Sequence, residues 1–335
     1  MTPRERLRAA MAGRAVDRVP RTPLFMSWAA HAVGHTYRDF YLKADVLVRA
    51  QLEVTRRFGL DQVSAISDPW REAEGFGLQL DYPPEGVGIP RRYLAPEELA
   101  ALHPFDPTAF PRTRDRLEAV GALAAAVRDT HSVSGWVEGP IAEYVDLRGL
   151  QDACMDLVDA PELFHQAAGP ILEVAIAFAR AQLAAGADFI GIGDAAASVL
   201  GPELYAAHVL PHERRLIAAI HEAGGRVKLH ICGNITALLP HIRGLGADVL
   251  DLDTPVSIAH ARAVLGPGQC LAGNFCPTSV LLRGTPQTVR AAAEACIGEG
   301  TVAGSRFVLQ PGCEVPPGTP EANIRAFCTD TTSPA

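Results

Sequence analysis

Short apolar runs rich in β-branched residues recur along this chain, and between them lie longer stretches in which Ala, Leu, Glu and Arg alternate with helical spacing. The runs predict eight strands, at residues 19–25, 62–67, 132–138, 187–194, 226–232, 247–253, 269–274 and 306–310. Helices are predicted over 163–185, 202–223 and 285–298, each ending in or just before a glycine. Through the second half, strand and helix alternate with connections of a few residues, the pattern of parallel strands joined by right-handed crossovers. Eight such units make a (β/α)8 TIM barrel, here a single α/β domain over 1–328. An open doubly wound sheet is the rival fold, but no glycine-rich phosphate turn follows the first strand.

Two departures from a bare barrel are predicted. Thr2, Pro3 and Glu5 form a capping-box pattern that starts a short N-terminal helix, stopped at Gly13. About 65 residues separate the second and third strands, far more than a barrel connection needs, so about 69–130 reads as an insertion. It holds the Pro- and Gly-rich segment 82–90 and then a helical stretch from Pro96, and it is expected to form a lid or substrate wall over the mouth. Residues 329–335 read as a loose tail.

Barrel sites are built at the C-terminal ends of the strands, and polar residues fall there. Asp68 follows the second strand, Glu138 ends the third and Asp194 the fourth. His230 and Cys232 end the fifth, Asp253 the sixth, Asn274 and Cys276 the seventh, and Cys313 follows the eighth.

Composition narrows the partners. A net charge of -8 and the lack of any long Lys/Arg run argue against nucleic acid or an anionic membrane. With 48% hydrophobic residues the chain can bury a sizeable core, and no uninterrupted apolar run approaches a membrane span. Seven irregularly spaced cysteines are too few for a disulfide scaffold, so a reducing, cytoplasmic setting is expected. Homo-oligomerisation stays open.

His230 and Cys232 stand two residues apart on a strand and therefore share a face. Alone, such a pair is equally a hydrogen-bonded core histidine beside a buried thiol. Cys313, in a Pro- and Gly-shaped loop, adds a third soft ligand, and one His with two Cys leaves tetrahedral zinc an open position, as catalytic zinc requires. Asp194, flanked by small residues, is a candidate catalytic group or a helix N-cap. Glu138 is a candidate acid, base or fourth ligand, or else the ion-pair partner of Arg148. Ser198, Asn234, Asp253 and Asn274, also at strand ends, are candidate substrate contacts. Cys276 reads as a packing or incidental thiol, Cys154, Cys270, Cys296 and Cys328 as structural, and His208, His212, His221 and His241 as exposed on helices.

The motifs that carry this chemistry resemble those of the uroporphyrinogen decarboxylase superfamily, and within it the zinc-dependent corrinoid methyltransferases of the methylcobamide:coenzyme M type. They are Gly13-Arg-Ala-Val-Asp-Arg-Val-Pro20, Asp194-Ala-Ala-Ala-Ser198 with Leu210-Pro211, Leu229-His-Ile-Cys-Gly-Asn234, Gly273-Asn274, and Pro311-Gly-Cys-Glu-Val-Pro-Pro317 with Thr319-Pro-Glu321 and Asn323. The resemblance implies a barrel whose zinc is held by His230, Cys232 and Cys313. It also implies a separate corrinoid protein that presents cobalt at the mouth, and a small thiol or a methoxylated or methylated compound as the other substrate. Metal-free decarboxylation of a tetrapyrrole is the runner-up, but the arginine-bearing run of true decarboxylases is replaced here by residues 25–35, which hold no arginine. A non-catalytic corrinoid-protein docking barrel with structural zinc is a third reading; it needs a fourth protein ligand, such as Glu138 or Cys276.

Overall fold

The computed structural model describes residues 1–328; the predicted tail at 329–335 lies outside the described residues. Seven strands form one curled parallel sheet in the order β1-β4-β5-β6-β7-β8-β9: β1 Gln62–Ser64, β4 Ser132–Glu138, β5 Phe189–Gly193, β6 Arg226–Ile231, β7 Val249–Leu252, β8 Cys270–Phe275 and β9 Phe307–Pro311. A two-stranded antiparallel pair, β2 Leu80–Asp81 and β3 Ile89–Pro90, stands apart. Seven of the eight predicted strands are therefore present in their predicted places. Their near-continuous apolar sequences fit strands buried on both faces, as parallel sheets require.

The predicted strand at 19–25 shrinks to a one-residue bridge. Arg21 pairs with Leu309 of β9, whose N–H donates to the Pro20 carbonyl at 2.8 Å, and the Arg21 carbonyl accepts from Asp61 N–H at 2.9 Å. The segment thus spans the gap between β9 and the start of β1. Pro20 and Pro23 have no N–H to give, so a longer ladder cannot form.

Helices cover the outside of the sheet. The predicted helix at 202–223 is broken into Pro202–Leu204, a π-helical turn Tyr205–Val209 and Leu210–Glu222. Pro211 removes the N–H that a continuous α-helix would use there, and the wide turn absorbs the loss. Helix Pro161–Ala185 is long and apolar enough to cross a membrane by length and composition. Its Phe164, Ile171, Leu172 and Phe178 are fully buried inside the fold, so this apolar face belongs to the core.

The N-terminal helix Pro3–Met11 has the predicted capping box, with Thr2 and Glu5 each accepting from the other's backbone N–H. Leu7 and Met11 pack onto Phe189, Val249, Cys270, Ala272 and Val308, plugging the N-terminal end of the strands. Near the opposite ends Leu24, Ile66 and Trp136 form a separate apolar cluster with Met26. Between β1 and β4 the chain makes helix Arg71–Gly75, the β2/β3 pair, helix Pro96–Ala100 and helix Pro111–Val127. The last of these packs between helices Ala44–Phe58 and Pro161–Ala185, in the outer helical layer.

Candidate metal centre

Alternation along β6 turns Lys228 and His230 inward, and Cys232 follows one residue past the strand. Cys313 follows β9 by two residues. The ligand atoms of His230, Cys232 and Cys313 all lie within 4.8 Å of one another, the one such group of three or more His, Cys, Asp or Glu among the described residues. Cys232 Sγ is 2.9 Å from His230 Nε2 and 3.9 Å from Cys313 Sγ. A tetrahedral ion with sulfur bonds of about 2.3 Å holds two thiolates about 3.8 Å apart, so the observed sulfur separation suits a zinc-type ion. The donors thus fit such an ion, and neither Glu138 nor Cys276 belongs to the group.

Glycine lets each ligand-bearing loop pack closely against a neighbour. A Cβ on Gly312 would stand 2.6 Å from Thr254 N and 2.9 Å from Asp253 Oδ1, and Gly233 has φ +88° with Ser198 Oγ 2.9 Å from its Cβ position. Asp253 ties the Cys232 loop to the end of β7, accepting from Gly233 N–H at 2.7 Å and from Thr254 N–H at 2.6 Å.

Behind the imidazole lies a buried polar network. His230 Nδ1 is 3.1 Å from Asp251 Oδ2, so the carboxylate selects the tautomer that leaves Nε2 for the thiols. Asp251 Oδ1 accepts from Gln310 Nε2 at 2.6 Å. Gln310 Oε1 in turn accepts from Lys228 Nζ at 2.6 Å and Thr22 Oγ1 at 3.0 Å, and Lys228 Nζ lies 3.5 Å from Asp251 Oδ2. Burial depresses the lysine's pKa against the pull of Asp251. In the metal-free chain burial disfavours the imidazolium, but Asp251 and the Cys313 thiolate outweigh it and raise His230 to about 10. Hydrogen bonding from Cys232 and His230 brings Cys313 down to about 5, while the same pairing and burial push Cys232 far up.

Glu138 stands at the end of β4 with Oε1 accepting from Arg71 at 2.9 Å. The bland reading of a Glu138–Arg148 ion pair is overturned: Arg148 pairs with Asp156 at 2.8 Å, because helix Pro140–Arg148 carries it away from the strand end. Burial pushes Glu138 up to about 8, with Glu72 adding to the effect and Arg71 opposing it. Burial also raises Glu143 and Asp146 well above the carboxylate range.

Asp194 is wholly buried and does not cap the turn that follows it. Its Oδ1 accepts instead from Ala142 N–H at 2.7 Å, in the first turn of helix Pro140–Arg148. Burial and the neighbouring Glu213 carboxyl raise its pKa, and Glu213 accepts from Tyr205 O–H at 2.6 Å. Of the remaining candidates, Ser198 lies against Gly233, and Asn234 is exposed with Oδ1 accepting from Thr236 N–H. Asn274 is buried, donating Nδ2–H to the carbonyls of Val256 and Asp253. Cys276 accepts from Ser279 N–H at the start of a π-helical turn. His208 and His212 are half-buried rather than exposed, gathered with His165 where two helices meet.

Asp251, Lys228 and Gln310 were missed from sequence, as was Arg71. The signal was present for two of them: Lys228 keeps the alternation of His230 and Cys232, and Asp251 keeps that of Asp253.

The profile of the family described as uroporphyrinogen decarboxylase (URO-D) matches residues 2–332. Methylcobamide:CoM methyltransferase MtaA of Methanosarcina barkeri is 27% identical over 341 residues, covering 97% of this chain and 96% of that protein. A uroporphyrinogen decarboxylase of Nocardia farcinica is 32% identical over 262 residues, covering 74% of this chain and 70% of that protein. Among solved structures, a methyltransferase from Methanosarcina mazei superposes with a TM-score of 0.88 at 24% identity, covering 98% of this chain and 97% of that one, which establishes a shared fold.

Proposed function

The chain belongs to the uroporphyrinogen decarboxylase family, and within it we propose a zinc-dependent methyltransferase that moves a methyl group between a corrinoid protein and a small thiol or a methoxylated or methylated compound. The observation that carries this reading is the convergence of His230, Cys232 and Cys313, with no fourth protein ligand of their kind beside them among the described residues. A relative named a methylcobamide:CoM methyltransferase that aligns over nearly its whole length adds support. The bridge at Arg21 then closes a (β/α)8 barrel, the stretch after β1 forms one wall of its mouth, and the protein works in the cytoplasm.

Zinc held by His230, Cys232 and Cys313 would supply Lewis acidity toward a thiol or a methyl-bearing heteroatom. The chain's own residues do the rest. Asp251 Oδ2 lies 3.1 Å from His230 Nδ1, an ion-pair contact that favours hydrogen on Nδ1 and leaves Nε2 to face the two thiolates. Lys228 and Gln310 hold Asp251 in place and balance its charge within the sheet. Glu138 keeps a proton near neutral pH at the edge of the cleft. Asp194 positions rather than reacts, holding the helix turn that follows Glu138. Ser198 and Asn234 sit beside the loop that carries Cys232 and are our substrate contacts, whereas Asp253 and Asn274 brace that side of the mouth.

The decarboxylase reading gains nothing from the site. Arg71 and Arg112, beside the ends of β1 and β4, are already engaged by Glu138, Glu72, Asp68 and Glu74, leaving neither to bind a polycarboxylate. A structural-zinc docking barrel needs a fourth ligand, and among the described residues none joins the three. The test is elemental analysis of protein purified without added metal, alongside methyl transfer from methylcobalamin to small thiols. About one zinc per chain, lost in His230→Ala together with transfer, is expected. Well-folded protein that takes up no zinc on reconstitution rules the proposal out.

A further inference from the structure

Parallel pairing aligns Glu138 of β4, Gly193 of β5, His230 of β6 and Asp251 of β7 in one row on the inner face of the sheet. Neighbouring strands lie about 4.8 Å apart, so the backbones of Glu138 and His230 stand about 10 Å apart with a glycine between them. A side chain at 193 would fill that interval, its Cβ 3.0 Å from Trp136 Nε1 and 3.2 Å from Glu138 Oε2. One row below, the indole of Trp136 lies across Gly191, where a Cβ would be 2.0 Å from the ring. Gly191 thus yields its space to the indole, and the strip of sheet left without a side chain between Glu138 and His230 is that of Gly193. On one side stand an indole N–H and a carboxyl oxygen, and on the other the imidazole of the metal centre.

Glu138 Oε1 is committed to Arg71, which leaves Oε2 over Gly193. The groups around Glu138 are Arg71 and Glu72 of helix Arg71–Gly75, Asp68 of the preceding loop, Glu143 and Asp146 of helix Pro140–Arg148, and Asp194 after β5. Burial, with the Glu72 and Asp68 carboxyls adding to it and Arg71 opposing, keeps Glu138 protonated up to about pH 8. Trp136 packs with Leu24, Ile66 and Met26, so the wall behind the strip is apolar.

Building on the methyl-transfer reading, we infer that the strip over Gly193 receives the methyl-bearing heteroatom of the small substrate, that Glu138 protonates this atom as its methyl group departs, and that the substrate is a methyl ether. The carbon–oxygen bond breaks with its electron pair remaining on oxygen. The methyl group passes to the Co(I) form of the corrinoid carrier, whose electron pair makes the new bond. Oxygen takes the Glu138 proton and leaves as an alcohol or phenol, and the carboxylate recovers a proton from water. A thiolate leaves readily without a proton near neutral pH, so an acid held at this position serves an oxygen leaving group.

The test uses zinc-loaded protein with cob(I)alamin as acceptor and a matched pair of donors, methyl phenyl ether and methyl phenyl sulfide, reading methylcobalamin formed. The ether is expected to react faster than the sulfide, at a rate that falls as pH rises through about 8. Glu138→Gln should lower the ether rate about a hundredfold, with zinc content unchanged. That loss should shrink for a nitrophenyl ether, whose leaving group needs no proton. Gly193→Ala should raise KM more than it lowers kcat, again with full zinc. Faster reaction of the sulfide overturns the inference, as does a Glu138→Gln rate within threefold of wild type or wild-type protein inert toward the ether. Methylation of a small thiol by methylcobalamin, measured on the same wild-type sample, then shows whether the broader methyl-transfer reading stands.

Discussion

Asp251→Asn isolates the support beneath His230 from the chemistry above it. The carboxylate accepts on Oδ1 from Gln310 Nε2–H at 2.6 Å and holds Oδ2 in ion-pair contact with His230 Nδ1 at 3.1 Å. Asparagine preserves the volume but offers one acceptor and one NH2 group. Whichever way the amide turns, an N–H then faces another N–H. If it faces His230, the imidazole is driven toward the tautomer with hydrogen on Nε2, which cannot bind a metal through that atom. If it faces Gln310, the network that holds Lys228 in place is broken. Loss of such a supporting carboxylate lowers metal affinity about 10–100-fold, or about 1.4–2.7 kcal/mol. Zinc affinity is measured by competition with a chromophoric chelator at fixed pH, with thermal unfolding of the metal-free protein as the control for folding. Affinity within threefold of wild type, in folded protein, would refute the role given to Asp251.

Three further outcomes are expected. At pH 7 the metal-free site carries one proton on His230, whose pKa is raised to about 10, and one on Cys232, whose pKa is raised further, while Cys313, at about 5, is already a thiolate. Zinc binding should therefore release two protons and tighten as pH rises; calorimetry in buffers of different ionisation enthalpy that finds one proton or none contradicts this. Cys232→Ala and Cys313→Ala should each abolish stoichiometric zinc with Tm little changed, since the apolar core is built without the metal, and a loss of several kcal/mol in urea unfolding would count against that view. Gly191→Ala places a methyl 2.0 Å from the Trp136 ring and should cost about 1–3 kcal/mol, read by the same unfolding curves; a change below about 0.5 kcal/mol would mean the indole moves freely.

The parts of this molecule that could be read from sequence are those governed by local periodicity. Alternation placed His230 and Cys232 on one face, and the apolar runs located β1 and β4 through β9, because burial on both faces leaves a strand few residue types to use. Local chemistry also explains the misses in the backbone. Pro20 and Pro23 reduce the first strand to a single bridge, and Pro211 turns a continuous helix into one with a π turn.

What could not be read is register, which sets how far one strand slides against the next. Alternation says that Glu138 and His230 each face inward; it does not say that they share a row, or that Gly193 is the residue between them. The same holds for Asp251, whose role depends on pairing with His230 rather than with Lys228. Register also changes the meaning of residues already singled out. Asp194 looks reactive along the chain, but one step beyond Gly193 it is sealed beneath Gly139 and braces the turn after Glu138. Gly193 carries no functional group, yet a side chain there would crowd Trp136 Nε1 and Glu138 Oε2 in the row between Glu138 and His230. A glycine placed in register between two chemically active side chains is therefore itself a candidate site residue.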